Sequence, residues 1–329
     1  MKNRNYFESK NILVTGSAGF IGTNLIDKLV QYRANITGTI HEREPQHKHD
    51  SVKYIKCDLT KYDDCMNVLK DIDYVFMTAA NSSGAEVMET KPLDHLTPNI
   101  LMNTNMLSAA YENNVKKFCF ISSNTVYPLT DHAVEEDDAN YEFYDKYYIV
   151  GWMKRFTEIM CEMYALKIKK PMPVVIVRPG NIYGPYDKFS WRESKVIAAL
   201  IRKAIEKKDP FEVWGDGSDI KDFIYVDDFI DALILVFEKS KNFDVINIAS
   251  GKEVSIKEII KVILDKTSYQ SASIKYNIDK PTMIPKRLIC IDKLTTLTDW
   301  CQKTDLDKGI EKTVEWYTVF FKNKSPDIK

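Results

Sequence analysis

The chain has 329 residues, 44% apolar and 28% charged, which suits a globular protein with one large domain and a smaller lobe. Lys and Arg total 46 against 47 Asp and Glu, so the charge balance offers no general attraction to nucleic acid or to an anionic membrane. Cys57, Cys65, Cys119, Cys161, Cys290 and Cys301 show no C-x-x-C spacing, and histidine does not cluster with them, which argues against a zinc site and for reduced, buried thiols.

Residues 11–15 form a β-branched apolar run that ends in Gly16-Ser17-Ala18-Gly19, and an apolar-periodic stretch follows over 20–29. That order predicts strand, glycine turn and helix. Further strands are predicted at 34–40, 52–57, 74–78, 117–122 and 173–178, with helical segments between most of them. Such alternation builds βαβ units, hence an α/β fold with a Rossmann-type doubly wound parallel sheet. Beyond Pro179 the pattern is shorter and more mixed: a polar stretch at 184–194, a helix at 196–207, a glycine turn at 214–218 and a last helix near 306–321. The expected division is a dinucleotide-binding domain over 1–180, rejoined by a segment near 220–250, and a smaller α/β substrate lobe over 181–329. The polar first ten residues carry no signal-peptide core, and no apolar run approaches the ~20 residues of a bilayer span. A cytoplasmic protein is expected.

The spacing Gly16-x-x-Gly19-x-x-Gly22 between a first strand and a first helix has a mechanical reading. Gly16 permits a tight turn, Gly19 lets the backbone approach a pyrophosphate, and Gly22 lets the helix pack close to the sheet. Phe20 and Ile21 lie in the first helical turn, where free N–H groups face the phosphates. At the end of the second strand an acid selects a ribose 2′-hydroxyl and a cation a 2′-phosphate. Here Ile40 is followed by His41-Glu42-Arg43. With no acid in first place and His41 and Arg43 available, NADP is the expected cofactor, and Glu42 keeps NAD open.

Taken with later motifs, the chain resembles the extended short-chain dehydrogenase/reductase family of nucleotide-sugar epimerases, dehydratases and reductases. The motifs are residues 15–22, Asp58-Leu59, Ala79-Ala80, residues 122–127, residues 178–185 and residues 221–228. Within the family, residues 184–189 and Val213-Trp214-Gly215 look most like the GDP-L-fucose synthase branch. The resemblance implies adenine contacts at Asp58 and Leu59, a cofactor cradle at Ala79 and Ala80, and hydride transfer at a sugar C4. Ser123 stands at the serine position and Lys154 at that of the lysine that binds the nicotinamide ribose. Asn181, Lys195, Arg202, Trp214, Lys221 and Arg287 fall in the substrate lobe by the same resemblance: Asn181 corresponds to a sugar or phosphate contact, Arg202, Lys221 and Arg287 to diphosphate or nucleotide contacts and Trp214 to a nucleobase contact, while Lys195, where a histidine is expected, stays open as a proton carrier, a phosphate ligand or a solvated side chain.

One position departs from the pattern. Four residues before Lys154, where the family carries its acid/base tyrosine, stands Val150. The Y-x-x-x-K spacing occurs only at Tyr6/Lys10 and Tyr276/Lys280, away from the expected place. The cysteine and histidine of the GDP-L-fucose synthase branch correspond to Thr125 and Lys195. Tyr147, seven residues before Lys154, shares a helical face with it if the helix already begins there, and is the candidate substitute. The expectation is an NAD(P)-dependent epimerase, reductase or dehydratase of a nucleotide sugar. The alternative is a binding protein that has lost its acid/base group. A homodimer is implied through helices near 99–112 and 149–166.

Overall fold

A computed structural model describes residues 6–82, 91, 93–191, 193–280 and 282–323. The first five residues of the polar N-terminal stretch lie outside the described residues. Six strands alternate with helices in the first half: β1 (Asn11–Val14), β2 (Asn35–Ile40), β3 (Val52–Lys56), β4 (Tyr74–Met77), β5 (Lys117–Ile121) and β6 (Val174–Pro179). Four short strands follow, β7 (Asn181–Tyr183), β8 (Phe211–Trp214), β9 (Ile220–Lys221) and β10 (Phe223–Tyr225), before β11 (Phe243–Ile248) returns beside β6. The large sheet is parallel, in the order β11-β6-β5-β4-β1-β2-β3. This is the doubly wound architecture expected from the sequence.

The central strands read as unbroken apolar runs because helices cover both faces of the sheet. All four residues of β4 are buried, as are the first five of β6. The Phe20–Gln31 helix buries Leu25, Ile26 and Leu29 on one side of the sheet. The Leu93–Glu112 helix buries Met106, Leu107, Ala109 and Ala110 on the other.

The smaller lobe is assembled from strands of two to four residues. β7 pairs in parallel with β10. β9 lies between β12 (Val254–Ser255) and β14 (Lys286–Arg287), and β8 pairs with β13 (Ile274–Asn277). The Ile256–Lys266 helix begins at a reciprocal cap, with Ser255 accepting from the Glu258 N–H while Glu258 accepts from that of Ser255.

A buried ion pair ties the Tyr148–Glu162 helix to β6. Arg178, on β6, is 2% exposed, and Glu158, on the Tyr148–Glu162 helix, 1%. The Arg178 guanidinium donates to both carboxylate oxygens, at 2.9 and 2.8 Å. The Ser122 hydroxyl donates to the same carboxylate at 2.5 Å. Arg178 also donates to the Tyr127 hydroxyl at 3.1 Å and to the Glu136 carbonyl at 2.6 Å. Tyr127 in turn donates to Asn247 on β11 at 2.5 Å. Burial works against the charge on Arg178, but Glu158 outweighs it and holds the guanidinium above its ordinary value. Removing one member of such a pair strands the other charge. Glu158→Ala is expected to cost about 3–5 kcal/mol of unfolding free energy. Arg155→Ala, which removes the more exposed second partner of Glu158, is expected to cost less than about 1 kcal/mol. Urea unfolding of the two variants checks this ranking, and equal losses would contradict it.

Candidate active site

The carboxyl ends of β1, β4, β5 and β6 lie along one edge of the parallel sheet, and the strand order reverses between β1 and β4. That reversal is where doubly wound folds open a crevice for a ligand. Gly16 sits there in the left-handed region, at φ +64°, and a Cβ on it would stand 2.7 Å from the Ala79 Cα. A Cβ on Gly22 would stand 2.4 Å from the Gly16 carbonyl oxygen. Gly19 caps the first helix with no side-chain hydrogen bond, and the first turn, with half-buried Phe20 and Ile21, carries no acid. The turn's N–H groups and positive dipole end are thus left for an anion.

Side chains missed in the sequence fix this cradle. Thr15 Oγ1 accepts from the N–H groups of Thr78 and Ala79, both at 3.1 Å, which sets the position of the Ala79-Ala80 segment. Ser17 donates to the Thr39 carbonyl at 2.8 Å. A Cβ on Gly38 would stand 2.7 Å from the Ser17 side chain, so the second strand needs glycine there. His41, Glu42 and Arg43 are exposed after β2, with an Arg43 nitrogen 3.5 Å from a Glu193 oxygen. Asp58 accepts from the Thr60 hydroxyl at 2.7 Å, a bond that holds its carboxyl below the usual range. Leu59 is core, with its carbonyl accepting from Asn105. These residues fit a dinucleotide along the edge.

At the end of β5, Ser123 accepts from the Thr125 hydroxyl at 2.9 Å. The Tyr148–Glu162 helix packs directly against this turn: a Cβ on Gly151 would stand 2.6 Å from the Thr125 carbonyl oxygen. That contact brings Val150 and Lys154 to the carboxyl end of β5. Lys154 donates to the Ile121 carbonyl at 2.8 Å and lies 4.8 Å from the centre of the Phe120 ring. Desolvation pushes its ammonium down to about 8, partly offset by Glu158.

Tyr147 is placed differently from the helical-face argument. The α-helix starts at Tyr148, and Tyr147 belongs to the preceding 3-10 turn, Asp145–Tyr147. The condition under which it shares a face with Lys154 is not met. Its ring turns toward the smaller lobe, near the Ile284 backbone and Arg287, and burial raises its hydroxyl to about 12.

The lobe's candidates do not all converge. Arg287 is 2% exposed and donates to the Tyr127 carbonyl at 3.1 Å, while its Nε and one Nη have no partner among the described residues. Lys221 stands opposite Arg287 in the β9–β14 register and pairs with Asp219 at 2.8 Å. Asn181 donates to the Asp222 carbonyl at 2.9 Å. Arg202 stacks 3.7 Å from the Trp191 ring centre and donates to the Phe189 carbonyl at 2.7 Å, while its Nε has no hydrogen-bond partner among the described residues. Trp214 ends β8 under the Lys280 ammonium, 5.5 Å away. Lys195 is exposed at the start of the Val196–Ile205 helix, and its charge acts on buried Asp187.

Lys154→Ala tests the placement of the cradle's lysine. A charge-assisted hydrogen bond is worth roughly 1.5–3 kcal/mol, so the dinucleotide dissociation constant is expected to rise about ten- to a hundredfold in a fluorescence titration. Unchanged affinity would show that Lys154 makes no cofactor contact.

Comparison with known proteins agrees with this geometry. Residues 12–249 match the model of the NAD dependent epimerase/dehydratase family. GDP-L-fucose synthase 1 of Arabidopsis thaliana is 28% identical over 321 residues, covering 94% of each chain. The dTDP-4-dehydro-6-deoxy-D-allose reductase of Streptomyces bikiniensis is 27% identical, covering 94% of this chain and 96% of its own. The structure of UDP-N-acetylglucosamine 4-epimerase from Methanobrevibacter ruminantium M1, in complex with UDP-N-acetylmuramic acid, superposes with a TM-score of 0.82 at 28% identity, covering 95% of this chain and 99% of that one. The glycine cradle, the parallel sheet that carries it and the match over most of its length place this chain in the NAD-dependent epimerase/dehydratase family.

Proposed function

We propose that the chain is an NADP-dependent reductase of a 4-keto nucleoside-diphosphate hexose, with GDP-linked sugars the first to test. The observation that carries this reading is a site with proton donors beside an intact dinucleotide cradle but no tyrosine one turn before Lys154. Oxidising a sugar hydroxyl requires a base to take its proton, and Val150 removes the family's usual one. Reducing a ketone requires only a donor for the oxygen as charge develops on it. Lys154, held at about 8, is protonated at neutral pH and close to the best value for such a donor. Tyr147, raised to about 12, stays protonated and donates a hydrogen bond.

When bound, the nicotinamide supplies the hydride. Ser123 and Thr125 bind the sugar oxygen from the end of β5. Arg287 directs its unpaired N–H groups to the diphosphate, with Lys221 opposite and Asn181 on the sugar side. Arg202, already bound to Phe189 and Trp191, shapes the lobe that holds Trp214 against the base. Lys195 contacts the substrate from the helix start. His41 and Arg43 favour a 2′-phosphate. The relatives named above, a synthase of a GDP-sugar and a reductase of a dTDP-4-keto sugar, support the substrate class.

We also propose a homodimer through the Leu93–Glu112 and Tyr148–Glu162 helices. They pack together through a 3.1 Å bond from Asn103 to Thr157 and leave Leu101 and Trp152 exposed, with exposed Met163 directly after the second helix. Met106, Leu107 and Ala110 are covered by their own domain. Sedimentation showing only monomer at micromolar concentration rejects the dimer.

The direct test incubates purified protein with GDP-, dTDP-, UDP- and CDP-linked 4-keto sugars and NADPH or NADH. Oxidation of NADPH with at least one substrate is expected. Tight binding of cofactor and sugar nucleotide without turnover would mark a binding protein instead. Arg287→Met is expected to raise KM about tenfold or more with little effect on cofactor affinity. The pH profile separates the donors. With Lys154 donating, turnover falls as pH rises through about 8, because the protonated form is lost there. With Tyr147 donating, turnover is flat across that range and Tyr147→Phe abolishes it.

A further inference from the structure

A second cluster of chemically capable side chains lies on the far flank of the first helix. Asp27 lies on the Phe20–Gln31 helix, two turns past Gly19, and His47 and His49 lie on the segment joining β2 to β3. His47 Nδ1 stands 3.2 Å from Asp27 Oδ1, and His49 Nε2 stands 2.8 Å from the same oxygen. One ligand atom from each residue lies within 4.8 Å of those of the other two.

We propose that Asp27, His47 and His49 form a binding site for a divalent transition-metal ion of the zinc class. Imidazole and carboxylate together suit such an ion. A tetrahedral ion with ligands at about 2.0–2.1 Å sets its donor atoms about 3.3 Å apart. The two nitrogen-to-oxygen distances, 3.2 and 2.8 Å, lie close to that spacing, and the third edge, between the two imidazole nitrogens, is within 4.8 Å. The ion would replace the protons through which both imidazoles now share one carboxylate oxygen. Water would complete the coordination.

Neighbouring groups hold the ligands in place. The Tyr54 hydroxyl accepts from the His49 N–H at 3.4 Å. The two imidazole centres are 4.4 Å apart. On the other side of His47 the Tyr186 ring lies nearly parallel, 6.4 Å away, from a residue at φ +67°. Three separate pieces of chain thus meet at the site: the first helix, the β2–β3 segment and the turn that opens the smaller lobe. The bound ion would pin the β2–β3 segment, which begins with His41 and Arg43, to the helix that carries the glycine cradle. The cysteine spacing gave no hint of this site, because its ligands include no thiol and Asp27 lies twenty residues before the closely spaced His47 and His49.

The test is calorimetric titration of the metal-free protein with Zn2+, followed by the absorption spectrum of the Co2+ form. One equivalent is expected, with nitrogen and oxygen ligation and no thiolate charge-transfer band. His49→Ala and Asp27→Asn are each expected to weaken binding by more than about a hundredfold, since even outer-shell partners account for ten- to a hundredfold. His47→Ala, at an exposed position, gives a second reading if either of those variants unfolds. Amide exchange over residues 42–51 is expected to slow when Zn2+ is added. No binding, binding unchanged in the three variants, or a thiolate spectrum would overturn the proposal. None of these readouts depends on the substrate or on turnover.

Discussion

The Glu158–Arg178 pair is the contact on which the site's geometry depends. It joins the helix that bears Lys154 to β6, and through Ser122 and Tyr127 it reaches β5 and β11. A buried charge pair tolerates little displacement, because each partner depends on the other for its solvation. The helix is therefore held in rotation as well as in position. Lys154 lies one turn before Glu158 on the same face, so the carboxylate that anchors the helix also favours the charged form of the lysine against desolvation. Anchor and active site share one electrostatic field.

In the proposed reading, a valine one turn before Lys154 changes what that field can do. A tyrosine at the position of Val150 would have its hydroxyl acidified by Lys154 and serve as a base or an acid. With valine there, the Lys154 ammonium, pushed down to about 8 by desolvation, is the titratable group on which the proposed reading relies. In that reading the Ser123 and Thr125 hydroxyls, hydrogen-bonded to each other, bind the substrate oxygen and neither supplies a base.

Much of this was legible in the sequence, for a physical reason. Buried parallel strands must be apolar along their whole length, so the runs at β1, β4 and β6 stand out, and the Gly16 and Gly22 positions follow from backbone approaches that no Cβ permits. Other parts were not legible. The lobe strands, two to four residues long, are too short to show an alternating period. Glu158 looks like any helical glutamate until β6 brings Arg178 beside it. Gly151 looks like a weak helical residue until the turn at Thr125 is seen to touch it. Tyr147 was placed by helical geometry that begins one residue too late to include it. Arg202 read as a diphosphate or nucleotide contact, and nothing in the sequence signalled that its guanidinium would stack on Trp191 and donate to Phe189.

The central claim is hydride transfer to C4 of a nucleotide sugar at the cleft beside Lys154 and Ser123. The most direct measurement is reduction of a 4-keto nucleotide sugar with NADPH deuterated at the nicotinamide C4, followed by NMR of the product. The account predicts deuterium at the sugar C4 on a single face, with none at neighbouring carbons. Deuterium at another carbon, on both faces of C4, or absent from a sugar that is nonetheless converted would contradict it.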